Sequence, residues 1–276
     1  MDKLIITVAA IGAEVTKTDN PNLPITPDEI AEEVYKAYQA GASVAHIHAR
    51  KPDGTPTQDK EVYREIINKI KAKCDIIIQV STGGAVGMNP QERIAPVSLK
   101  PEMATLTTGT CNFGPDVFMN TLPDIEIFAN EMKNHNVMPE IEVFDFGMIN
   151  TAHNLMKKGL IPEKVNFDFV MGVPGALPGH SRYLPLLVSE IPPNCTWTVA
   201  GIGRFELPLA VMSIAMGGNV RVGFEDNIFY SKGVLAESNA QLVERIVRIA
   251  KENSREIANP DEARKIFGIK KNTADF

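Results

Sequence analysis

The sequence predicts an α/β protein, a (β/α)8 TIM barrel in which residues 1–276 form a single catalytic domain. Short runs rich in Val and Ile alternate along the whole chain with stretches of helical period, the pattern of repeated βα units. The runs number eight. No Ser/Gly-rich linker or low-complexity segment divides the 276 residues, a length that one barrel fills. An open doubly wound sheet is the alternative, but it would carry a Gly-rich turn after its first strand, and Gly12-Ala13-Glu14 is not GxGxxG.

The first strand is expected over Leu4–Ile11, followed by a helix over Pro27–Ala40 that Thr26 caps, with Glu29 three residues on. A second strand over Val44–Ala49 leads to a helix over Lys60–Lys73 with Ile66, Ile67 and Ile70 on one face. After the third strand, Ile76–Ser81, the crossover Asn89–Leu99 is interrupted by Pro90 and Pro96. Strand four, Met103–Thr107, is followed by an irregular stretch before the helix Pro123–His135. The remaining units pair Pro139–Phe144 with Gly147–Lys157, Phe167–Met171 with Tyr183–Ser189, Thr196–Ala200 with Leu207–Met216, and Val220–Phe224 with Ala236–Lys251.

Composition narrows the function. At 44% hydrophobic and 22% charged the chain is an ordinary globular protein, and a net charge of −6 with interleaved signs offers no basic stripe for nucleic acid. The apolar run from Leu4 to Ala13 is shorter than the ~20 residues of a membrane span and lacks a basic leader, so it reads as a buried strand. Cys74, Cys111 and Cys195 form no CxxC pair, which fits reduced thiols and a cytoplasmic location.

Barrel active sites lie at the C-terminal strand ends. On strand two, alternation makes His46 and His48 face the same way, so both can ligate one metal; two core histidines bonded to neighbours are the plainer alternative. Zinc with an open position takes three protein ligands, and strand eight supplies an acid: Arg221, Gly223 and Glu225 share a face by alternation, two places round the barrel from strand two. Glu225-Asp226 also reads as a helix N-cap. Ser81-Thr82-Gly83-Gly84 suits a carboxylate, or is an ordinary turn. Glu14 at the rim suits an ammonium group, or is a solvated acid. Gly172–Gly175 and Gly201–Arg204 are loops rich in backbone donors, as in phosphate sites. His135, His153 and His180 fall on helices or loops and stay outside the site.

Together, Gly12-Ala13-Glu14, His46-Ile47-His48-Ala49-Arg50, Ser81-Thr82-Gly83-Gly84, Lys100-Pro101-Glu102-Met103-Ala104-Thr105 and Gly223-Phe224-Glu225-Asp226-Asn227 resemble the β-keto acid cleavage enzyme family over nearly the whole chain. The resemblance implies a zinc enzyme that converts a β-keto acid and acetyl-CoA to acetoacetate and a new acyl-CoA. It implies His46, His48 and Glu225 as zinc ligands, Ser81, Gly84 and Thr105 as substrate contacts, and Asp226 as a base oriented by Arg221. Glu14 then holds a substrate amine, assisted by Glu142. A Lewis acid at that site would make the C2 proton acidic and stabilise the enolate. Lys51 departs from the family pattern, where an acid often follows the Arg. A homo-oligomer, dimer or tetramer, is expected, with no nucleic-acid or membrane partner. The rivals are a metal-dependent hydrolase or aldolase, which would show further histidines at later strand ends, and a non-catalytic metal-binding barrel.

Overall fold

In the computed structural model, which describes residues 2–271, eight parallel strands close on themselves in chain order. They are β1 (Ile6–Ala9), β2 (Val44–Ile47), β3 (Ile77–Val80), β4 (Met103–Thr107), β5 (Met138–Val143), β6 (Asn166–Met171), β7 (Thr196–Gly201) and β8 (Asn219–Val222). Strand β1 bonds to both β2 and β8, which places β8 two positions from β2 as expected. Every strand begins and ends within two residues of expectation.

The crossovers follow local signals. Helix α1 (Pro27–Ala40) starts at the Thr26/Glu29 capping box, and α2 (Lys60–Lys71) is capped by Asp59 and buries Ile66, Ile67 and Ile70. The interrupted third crossover is a short helix, α3 (Pro90–Ile94), capped by Asn89, which tightens into a 3-10 turn over Ala95–Leu99 at Pro96. Helices α4 (Leu122–His135), α5 (Phe146–Lys157), α6 (Leu184–Glu190) and α7 (Glu206–Met216) match expectation to within a residue at each end. Helix α8 (Asn239–Glu252) starts three residues later than expected, because Ser238 caps it and Val234–Leu235 pairs with Phe229–Ser231 in a hairpin.

One helix was not anticipated. Helix α9 (Pro260–Phe267), opened by an Asn259/Glu262 capping box, brings Ala263 and Phe267 against Ile5, Val44, Ile77 and Met103. Val44, Ile77 and Met103 open their strands and Ile5 immediately precedes β1, so α9 plugs the N-terminal end of the barrel. The C-terminal end stays open and is ringed by hairpins after β2 (Ala49–Arg50 with Pro56–Thr57), after β4 (Cys111–Phe113 with Asp116–Phe118) and after β8. The irregular stretch after strand four is that second hairpin. Among the described residues no helix is long and apolar enough to cross a membrane, and Cys74, Cys111 and Cys195 are free.

Candidate active site

The interior above the plug is polar. In a parallel sheet, residues in register share a face, so Ala9, His46 and Gln79 point inward together, as do Glu142 and Asp168. His46 is fully buried, and its Nδ1 lies 2.7 Å from Gln79 Oε1. Gln79 Nε2 donates to Glu140 (2.7 Å), which also accepts from Asn166 (2.7 Å). Because the Gln79 amide nitrogen is engaged with a carboxylate, its oxygen must face His46, and Nδ1 must carry the proton. In the neutral ring that leaves the His46 Nε2 lone pair free.

Glu225 meets it by a route that simple alternation did not foresee. Strand β8 ends at Val222, and Gly223 turns the chain at φ +149°; a Cβ there would fall 2.2 Å from the Ala9 carbonyl oxygen. The Gly223 carbonyl accepts from Asp226 N (3.0 Å) and Asn227 N (2.9 Å), and Glu225 N donates to Ala9 O (3.2 Å). The Glu225 carboxylate thus hangs over β1 and β2 from a turn. Its Oε2 is 3.3 Å from His46 Nε2 and its Oε1 3.6 Å from His48 Nε2.

The turn is gripped from two sides. Glu206 accepts from Gly223 N (3.3 Å) and Asn227 Nδ2 (3.0 Å), while Asn239, fully buried, accepts from Phe224 N (2.9 Å) and donates to Ala10 O (3.2 Å).

His46, His48 and Glu225 each offer a ligand atom, all within 4.8 Å of one another. His46 Nε2 and Glu225 Oε2 are buried and have no hydrogen-bond partner, as two ligand atoms awaiting a cation would. Burial opposes a charged His46 ring, yet Glu225 and Glu142 together raise the His46 pKa; burial likewise opposes an ionised Glu225, but Arg221 and the two imidazoles hold it well below the usual carboxylate range. The donor set, two imidazoles and a carboxylate, fits a zinc-like divalent ion.

Above the cluster lies a cavity of about 410 Å³, bordered by Glu14, His48, Ser81, Gly84, Glu142, Arg221, Glu225 and Asp226. Arg221 is the hub. Its Nε and Nη2 donate to the two oxygens of Asp226 (both 2.8 Å), Nη2 also bonds Glu225, and Nη1 faces Asp168 (3.5 Å) and Glu142 (3.6 Å). Burial raises the Asp226 pKa, and Arg221 works against that rise. Glu142 Oε2 accepts from Thr107 (2.6 Å). Glu14 stands exposed at the rim on a loop fixed by Arg50, whose guanidinium donates to the Gly12 and Val15 carbonyls. Phe113, Phe118 and Phe144, in mutual edge-to-face contact, form an apolar wall.

Two expectations shift. Thr105 does not border the cavity: it is fully buried, and its hydroxyl accepts from Thr82 N (3.1 Å), so it supports the Ser81–Gly84 turn from beneath. The loops after β6 and β7 border the cavity through Val173, Pro174, Ile202 and Gly203, but Gly172, Ile202 and Gly203 N–H groups already donate to Leu177, Met171 and Asp226 carbonyls, so these are not free phosphate donors. Lys51 is exposed and off the cavity. Unanticipated were Asp168, Gln79, Glu140, Glu206 and Asn239. A charge inside an apolar strand run, as in Phe167-Asp168-Phe169 or Pro139-Glu140-Ile141, was the available signal.

A closed parallel barrel whose open end gathers a metal-binding donor set and an Arg-held acid defines the class as an α/β-barrel enzyme. The profile of the beta-keto acid cleavage enzyme family matches residues 3–269, and the chain belongs to that family. It is 55% identical over 273 residues to a 3-keto-5-aminohexanoate cleavage enzyme of Fusobacterium nucleatum subsp. nucleatum, covering 98% of this chain and 100% of the relative. It is 39% identical to a 3-oxoadipate:acetyl-CoA acetyltransferase of Cupriavidus necator, covering 96% of this chain and 94% of the relative. The structure of ObcA with a C4-CoA adduct and oxalate shares the fold at TM-score 0.75, with 20% identity, 90% of this chain and 68% of that one covered.

Proposed function

We propose that the protein condenses a β-keto acid bearing a cationic tail, 3-keto-5-aminohexanoate foremost, with acetyl-CoA and cleaves the product to acetoacetate and a new acyl-CoA, working as a single catalytic domain in the cytoplasm and as a homo-oligomer. The observation that carries this reading is the convergence of His46, His48 and Glu225 beneath a cavity bordered by Asp226 and Arg221, in a chain 55% identical to a relative named for that cleavage.

His46, His48 and Glu225 would hold a zinc ion, which when bound supplies the Lewis acid that makes the C2 proton of the β-keto acid acidic. Ser81 and the Gly84 backbone bind the substrate carboxylate end, with Thr105 acting through the loop it supports. Asp226 removes the C2 proton. Its carboxylate is aimed by two hydrogen bonds from Arg221, and burial strengthens it as a base. The C2 carbanion attacks the acetyl-CoA thioester carbonyl and displaces the CoA thiolate, the thiolate adds to the C3 carbonyl carbon of the acylated intermediate, and a retro-Claisen step breaks the C2–C3 bond. The acetyl group, C2 and the carboxyl leave as acetoacetate once C2 regains a proton, and C3 onward becomes the new acyl-CoA. Glu14 and Glu142 give the substrate amine a negative surround at the rim and wall, and the phenylalanine wall excludes water.

The test is an acetoacetate assay with zinc-loaded protein, acetyl-CoA and β-keto acids carrying amino, trimethylammonium, aliphatic or acidic tails. Product with the cationic members, abolished by chelation, is the expected result. Turnover of neutral or acidic tails alone would overturn the role of Glu14, and silence across the panel would overturn the reaction.

A further inference from the structure

Each of the strands β2, β3 and β4 carries an inward apolar residue at the plug: Val44, Ile77 and Met103. Two residues further on, β2 and β3 change to His46 and Gln79, and β5 and β6 join them with Glu140 and Asn166, all buried. The four side chains form an unbroken run, from His46 Nδ1 through Gln79 (2.7 Å) and Glu140 (2.7 Å) to Asn166 (2.7 Å), which ends on Thr198 Oγ1 of β7 (2.9 Å). The barrel fills the layer below with hydrocarbon, so filling space does not require this belt.

Each link has one sense. As an ionised carboxylate bonded by both Gln79 and Asn166, Glu140 only accepts, so Gln79 gives it the amide N–H₂ and turns its oxygen to His46. With the oxygen there, His46 Nδ1 must donate. A Gln79 amide turned the other way would present a donor to His46 and move the ring proton to Nε2, the atom that faces Glu225 at 3.3 Å.

We infer that Gln79 and Glu140 are positioning residues for the divalent ion: they lock the His46 tautomer so that Nε2 presents its lone pair to the metal. This rests on the reading of His46, His48 and Glu225 as ligands. Removal of such outer partners of a metal-bound histidine typically weakens metal binding ~10–100-fold.

The experiment uses two readouts. Long-range ¹H–¹⁵N spectra of the metal-free protein report the His46 tautomer, and competition with a chromophoric chelator gives the zinc dissociation constant. In the wild type the neutral ring should carry its proton on Nδ1. Gln79→Met, which keeps the volume and removes both hydrogen bonds, should populate the Nε2–H form and weaken zinc binding ~10–100-fold. Gln79→Glu combined with Glu140→Gln, which exchanges the amide and the carboxylate and so keeps an acceptor for Nδ1 without setting two carboxylates together, should restore the tautomer and most of the affinity. If Gln79→Met fails to fold, the isosteric Glu140→Gln serves: it frees the Gln79 amide to turn and should show a measurable Nε2–H population with weaker zinc binding. An unchanged tautomer with affinity within twofold of wild type in a folded variant would overturn the inference. Wild-type protein that binds no zinc would instead overturn the ligand reading, and the metal-free spectra distinguish the two failures.

Discussion

Gly12→Ala tests the metal centre without touching a ligand. Gly12 follows β1, where the Glu225 side chain passes over the backbone; a Cβ at position 12 would lie 2.6 Å from Glu225 Cγ, 3.2 Å from its Cβ and 3.3 Å from its Cδ. Ordinary carbon–carbon contact needs ~3.5–4.0 Å, so Glu225 must retreat by about 1 Å. Gly12 is not in the positive-φ region, so alanine costs nothing in backbone strain, and a smaller chain entropy in the unfolded state favours it by ~0.4–1 kcal/mol. Overpacking opposes this by ~1–3 kcal/mol, which leaves a folded but slightly weakened barrel. Ligand geometry tolerates only ~0.2 Å, so zinc affinity should fall tenfold or more, and a misplacement of ~1 Å at the reacting centre should cost ~100-fold in turnover. The control is Gly147→Ala, where nothing lies within 4 Å of the added carbon. Chelator competition, urea unfolding of the metal-free protein and the acetoacetate assay give the three readouts. Zinc affinity and turnover within twofold of wild type in Gly12→Ala would refute the placement of Glu225 as a ligand.

Asp226→Asn should keep zinc stoichiometric while kcat falls ~10²–10⁴-fold; retention of turnover would move the base elsewhere. Glu14→Gln should raise KM for amino-tailed substrates ~10-fold or more with kcat little changed, and equal effects on neutral tails would remove its charge-recognition role. Burial pushes the Glu206 pKa up to about 8 from 4.5, with the bonds from Asn227 and Gly223 only partly offsetting it. The folded state therefore keeps a proton that the unfolded chain releases, and stability falls as pH rises from about 4.5 to about 8, by ~1.4 kcal/mol per pH unit. Glu206→Gln should remove that slope from urea unfolding measured between pH 5 and pH 8; identical slopes in the two proteins would discard the assignment.

The barrel was legible because parallel strands buried on both faces read as continuous Val/Ile runs, and because Thr26, Glu29 and Asn89 are local signals that act within one turn. Helix α9 has equally clear caps at Asn259 and Glu262, yet it belongs to no βα unit; its purpose, covering Ile5, Val44, Ile77 and Met103, exists only once the barrel has closed. The ligand triad was legible by type and strand but not by path. Strand alternation holds for His46, whereas Glu225 reaches the centre through a turn whose shape depends on the contact between Gly223 and Ala9, a tertiary fact. For the same reason Thr105, a strand residue at a plausible depth, turns out to support Thr82, and Gly172, Ile202 and Gly203 in the loops after β6 and β7 give their N–H groups to backbone carbonyls.

What the closed barrel adds above all is competition for one cation. Asp226, Glu225, Asp168 and Glu142 all lie within 4.0 Å of the buried Arg221 guanidinium. Hydrogen bonding divides them. Asp226 takes two bonds from Arg221 and Glu225 takes one, while Asp168, fully buried with no hydrogen bond to either oxygen, faces Nη1 at 3.5 Å. Burial, reinforced by Glu140 nearby, drives the Asp168 pKa well above the ordinary aspartate value. The hydrogen bonds that Arg221 gives to carboxylates go to the two residues of the mouth. On the proposed mechanism that division is functional: the carboxylate deep in the strand layer takes no hydrogen bond from Arg221, and the one that takes two stands on the turn beside the cavity, where a substrate proton can reach it.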